Sequence, residues 1–211
     1  MSGRVKLQSM TTTVLAGALG LAALLAFAPT GQSEDIKDVA AKLRAASERF
    51  TDVSVALKEG YIPDPTGACV TAEMEGQPAE KGAMGIHHFR PDLLGITATE
   101  PRVDGTGTHT DYLNPGVLIY EPQADGSLEL VAVENLVFAK SWQEAGNGTP
   151  PTSYGHEWVH MVDNPDTEVD EAHGFQPHYE LHAWVFRDNP KGTFEPFNPA
   201  VTCEHHKVGA H

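Results

Sequence analysis

The segment His178-Tyr179-Glu180-Leu181-His182-Ala183-Trp184-Val185-Phe186 limits most tightly what this chain can fold into. Ionisable and apolar residues alternate there with the period of a strand, not of a helix. As a strand it puts His178, Glu180, His182, Trp184 and Phe186 on one face. Tyr179, Leu181, Ala183 and Val185 share the other face, which reads as ordinary core. Two imidazoles and a carboxylate in one column are costly to bury unless each is paired or bound to a cation. The column therefore points to a metal site or a polar pocket, with Trp184 and Phe186 as its walls.

Such a strand needs a sheet around it. Val117-Leu118-Ile119-Tyr120 and Leu128 to Phe138 flank Gln123-Ala124-Asp125-Gly126, which reads as a β-hairpin. Strict alternation in the second arm would align Leu128, Leu130, Ala132, Glu134, Leu136 and Phe138, so Glu134 becomes a carboxylate in an apolar column. Two readings fit it: a metal ligand or acid/base group, or a salt bridge to Arg90 or Arg187. Ile86 to Phe89 reads as a further short strand, in which one of His87 and His88 faces inward. Phe194 to Phe197 reads as an edge strand.

Upstream, apolar residues at Ile36, Val39, Leu43, Ala46, Phe50, Val53 and Leu57 step by three and four, which predicts one long helix over 34–59. Ser33 would cap it and Gly60 would end it. Residues 1–28 read as a signal peptide: Arg4 and Lys6, an apolar run from Val14 to Phe27, then Ala26-Phe27-Ala28. Residues 29–211 then form a single exported domain, periplasmic or extracellular, that is β-rich over 84–203 and ends in a mobile tail, 204–211. The apolar run is short for a spanning helix, so no transmembrane segment is expected once the signal is removed. In an oxidising compartment the two cysteines, Cys69 and Cys203, pair as one disulfide closing a long loop.

The charge balance narrows the partners. The chain has 29 Asp and Glu against 14 Lys and Arg, a surface that repels nucleic acid and favours cations. Eleven histidines, all from His87 onward, add to that preference.

Two arrangements compete for the chemistry. The first is spread over strands: His87, Glu134, His178 and His182, with His173 and Glu180 near. Such nitrogen and oxygen donors suit zinc, copper, iron, nickel or manganese. The second is local: His156-Glu157-Trp158-Val159-His160 has the His-Glu-x-x-His spacing. On a helix running from Ser153 to about Asp163, His156 and His160 would share a face as zinc ligands, with Glu157 as the base of a hydrolase. Gly155 and the loop-rich surroundings count against that helix. A third reading has no metal: a secreted binding module whose histidines line a pocket for a small molecule.

Several motifs also carry a resemblance. Gly60-Tyr61, Met84-Gly85-Ile86-His87, His178 to Trp184, Asn189 to Phe194 and Asn198 to Cys203 together resemble a group of small exported bacterial proteins. The resemblance implies export and one shared fold, and favours His87, His178 and His182 as site positions. It names no reaction.

The expectation is therefore an α+β domain, with a long N-terminal helix packed on an antiparallel sheet, and with closure into a sandwich or barrel left open. Its role is to bind a divalent transition metal through His and Glu side chains on strands.

Overall fold

The computed structural model describes residues 35–207. The expected signal peptide, the Ser33 cap and residues 208–211 lie outside them. The fold is α+β. Its first helix, α1 (Ile36–Ser47), is capped by Asp35, whose carboxylate accepts from the Lys37 N–H at 2.9 Å. A 3₁₀ turn follows (Glu48–Thr51), then a second helix, α2 (Val53–Lys58). The single helix expected over 34–59 is thus broken at Asp52. Asp52 has extended backbone, and its side chain accepts from the Ser54 N–H to start α2 afresh. Aspartate competes with helical backbone in this way and so favours caps over interiors. The break rotates the stripe: Val39, Leu43 and Phe50 are buried, but Ala56 replaces Leu57, which is 48% exposed. Gly60, with φ +95°, ends the helix as expected.

Among the described residues, seven strands form one antiparallel sheet. They are β1 (Ile62–Pro63), β2 (Cys69–Thr71), β3 (Ala83–Phe89), β4 (Val117–Pro122), β5 (Leu128–Phe138), β6 (Val159–Met161) and β7 (His178–Ala183). The order runs β1, β3, β4, β5, β7, β6, with β2 also paired to β3. The sheet is open, not a barrel; a two-stranded ladder, Ile96–Ala98 with Asp104–Gly105, packs Ile96 against its loop-covered side. One face carries Leu118, Tyr120, Val133, Val137, Tyr179 and Leu181, and packs on Val39, Leu43 and Phe50 of the helical segment. The other face carries Phe89, Val117, Ile119, Ala132, Leu136 and Phe138. Loops roof it, bringing Leu94, Val103, Phe175 and Val201 down onto it.

The β4–β5 hairpin forms as expected, with one change of register. Ile119 pairs with Ala132 but Tyr120 pairs with Leu130, so Val131 is a bulge. The extra residue moves Leu128 and Leu130 to the helix side, while Ala132, Glu134, Leu136 and Phe138 stay on the loop-roofed side. Phe194 to Phe197 is not a strand; only Asn198 bridges, to Ala83. Cys69 and Cys203 are disulfide-bonded across a separation of 134 residues. Beside that bridge, a ring nitrogen of His206 lies 3.0 Å from the Gly67 carbonyl. No described helix is long and apolar enough to cross a membrane.

Candidate metal centre

The polar column of β7 lies on the loop-roofed face. His182 pairs in register with Glu134 of β5, so their side chains are neighbours across the ladder. His87 comes from β3, with β4 between it and β5. Its Nε2 lies 3.4 Å from Glu134 Oε2, and His182 Nε2 lies 3.5 Å from the same oxygen. All three residues are buried, and their facing atoms form no hydrogen bond. Donor atoms of His87, Glu134 and His182 fall within 4.8 Å of one another, so the group could hold a metal ion.

A second group adjoins the first. His178 Nε2 lies 3.1 Å from Glu180 Oε2, and His173 Nε2 lies 3.8 Å from it. His173 Nδ1 is 3.1 Å from Glu75 Oε1. The other carboxylate oxygen of Glu180 is 3.8 Å from His182 Nδ1, which links the two groups. His173, His178 and Glu180 also meet the spacing of a metal-holding set. The site residues expected from sequence are therefore divided. His87, Glu134 and His182 converge, while His178 belongs with His173 and Glu180. Glu75, in the 3₁₀ turn Ala72–Glu75, carried no sequence signal of its own.

His87 and His88 are both buried, on opposite faces: His88 packs its ring edge-on to Tyr120, 4.9 Å away. Trp184 stacks on His182 at 5.8 Å and donates its indole N–H to the Glu195 carbonyl, so it does wall the site. Phe186 does not. The strand ends at Ala183, and Phe186 turns to the helix side beneath the Arg44 guanidinium. The salt-bridge reading of Glu134 also fails, since Arg90 pairs with Asp92 and Arg187 with Glu121 and Glu129.

Burial sets the proton balance of the metal-free site. It lifts Glu134 to about 8 against the pull of His182, and holds His87 down at about 4. Burial also lowers His178 and His182, leaving neutral imidazoles that can act as ligands. For His173 burial acts downward, but the Glu75 contact and the Glu180 charge outweigh it and raise the ring to about 9. For Glu180 burial acts upward, but the His178 hydrogen bond and the surrounding imidazoles outweigh it and hold the carboxyl far below its usual range.

The helix expected around His156 and His160 does not form. Tyr154 and Gly155 have φ of +53° and +82°, the two left-handed positions of a tight hairpin turn. They join Thr152–Ser153 to His156–Glu157, and Val159–Met161 then enters the sheet edge as β6. Glu157 and His160 are exposed, His156 packs on Phe194, and His160 on Tyr179. The shared helical face that a His-Glu-x-x-His zinc site requires is absent from this segment.

Comparison with protein-family models, with curated proteins and with solved structures returns no match.

Proposed function

We propose that this is an exported protein that holds a divalent transition metal at His87, Glu134 and His182. The donor spacing carries the reading. Separations of 3.4 and 3.5 Å are long for hydrogen bonds to a carboxylate. They match the edge of a tetrahedron whose centre lies roughly 2.1 Å from each ligand, about 3.4 Å. A metal would also supply the positive charge that a buried Glu134 carboxylate otherwise lacks. Three protein donors leave one position of a four-coordinate shell for water or a ligand atom. Zinc, copper, iron and manganese all suit two imidazoles and a carboxylate.

Export is supported by the Cys69–Cys203 disulfide, since such bonds persist in oxidising compartments. The motif resemblance and the apolar N-terminal run lean the same way.

The test is metal analysis by mass spectrometry on untagged protein exported to a periplasm. The parent is compared with the His87→Ala/His182→Ala and His156→Ala/His160→Ala pairs. The expected result is loss of one equivalent from the first pair alone. Loss from the second pair alone would restore the hydrolase reading of Glu157. A parent that takes up neither zinc nor copper would leave a secreted module for a small organic ligand.

A further inference from the structure

The proposed metal site uses one of the two converging groups. The other has a geometry that asks for a cation of its own. His178 Nδ1 lies 3.0 Å from the Gln176 carbonyl oxygen, which can only accept, so Nδ1 carries the hydrogen. Its Nε2 is aimed at Glu180 Oε2, 3.1 Å away. His173 lies beside it. Its Nδ1 faces the Glu75 carboxylate at 3.1 Å, and its Nε2 faces the same Glu180 oxygen at 3.8 Å. Two ring nitrogens and a carboxylate oxygen thus converge in one buried space, a nitrogen and oxygen donor set in which a bound cation would replace the ring protons that otherwise face Glu180.

The outer contact of His178 has the form that accompanies metal-bound histidine: the far ring nitrogen donates to a backbone carbonyl, which fixes the tautomer and aims the near one. The backbone is also committed to this arrangement. His173 has φ +36°, a left-handed conformation at a non-glycine residue, and such positions persist where surrounding structure enforces them. Arg102 supplies that enforcement by binding Asp163, Asp170 and the Phe175 carbonyl of the same loop. Glu75, the neighbour of His173, also lines a cavity of about 320 Å³ together with Lys81, His160 and Glu171.

We infer that His173, His178 and Glu180 form a second metal site, so that the protein holds two divalent cations side by side. Glu180 joins them: Oε2 serves the second ion, while Oε1 faces Nδ1 of His182, a ligand of the first. The inference adds to the proposed function, and either site can stand without the other.

Zinc titration of the disulfide-bonded, chelator-stripped protein tests it, with bound zinc per chain read by native mass spectrometry. The parent is expected to saturate at two zinc ions. His173→Asn should saturate at one, and asparagine tolerates the left-handed backbone, so the fold is spared. His87→Ala/His182→Ala should also retain one. A parent that saturates at one zinc, lost with His87 and His182 and kept in His173→Asn, overturns the second site and leaves the first. Two zinc ions retained by His173→Asn also overturn it. No zinc in the parent overturns both.

Discussion

Glu134 is where the residue-scale claims meet. Its carboxyl sits 1% exposed between two imidazoles and is lifted to about 8 by burial. Near neutral pH and without metal it is therefore mostly a neutral acid, and glutamine is its close mimic in shape and charge. Glu134→Gln should leave the thermal midpoint of the metal-free protein within a few degrees of the parent's. It should also weaken zinc binding by more than about 100-fold, beyond the 10–100-fold typical of changing a supporting group. Calorimetry in chelator and a zinc titration check the two halves. A large fall in the metal-free midpoint would show that Glu134 holds the fold through ion pairing instead. His182 could be found from sequence because it lies on a strand whose alternation is plain, whereas alternation left His87 and His88 open and the motif resemblance favoured His87. The assignment of His178 to a different group could not be found from sequence. It depends on the His173 loop and on Glu75, and no periodicity links residues 75, 173 and 180.

At the scale of elements, strands were more legible than helices and loops. Alternation placed β5 and β7 because buried sheet imposes period two on both faces. It failed at Val131, where one bulged residue reverses the faces, and at Phe186, which lies beyond the end of the strand. The helix misread at Asp52 and the hairpin hidden in the His156 segment share a cause. A local backbone choice, a side-chain cap in one and two left-handed residues in the other, overrode a periodic pattern. The disulfide ties the segment after the helices to the C-terminal segment that roofs the site, since Val201 and Cys203 pack against the loop-covered core. Cys69→Ser/Cys203→Ser should lower unfolding stability by about 2–4 kcal/mol, read from the urea midpoint. An unchanged midpoint would mean that the roof is held by packing alone.

For the whole molecule, the buried network sets how stability follows pH. Glu134, raised from 4.5 to about 8, stabilises the metal-free fold most below 4.5, and that contribution is lost as pH rises through 8. His173, raised from 6.5 to about 9, contributes fully below 6.5 and loses it as pH rises through 9. His87, lowered from 6.5 to about 4, contributes above 6.5 and loses it as pH falls through 4. Glu134 and His173 therefore weaken the alkaline limb, while His87, together with the likewise lowered His178, His182 and Glu180, weakens the acid limb. The thermal midpoint in chelator should peak at mildly acidic pH and fall toward pH 9. With zinc bound, Glu134 gives up its proton and that alkaline fall should be reduced. A metal-free midpoint that rises from pH 6 to 9 would contradict the proton balance. The metal itself can be located directly, by anomalous diffraction at the zinc edge from crystals of zinc-loaded protein. The expected result is a peak about 2.0–2.2 Å from His87 Nε2, His182 Nε2 and Glu134 Oε2. A map with no peak there, and Glu134 instead hydrogen-bonded directly to one of the two rings, would contradict a metal centre on these strands.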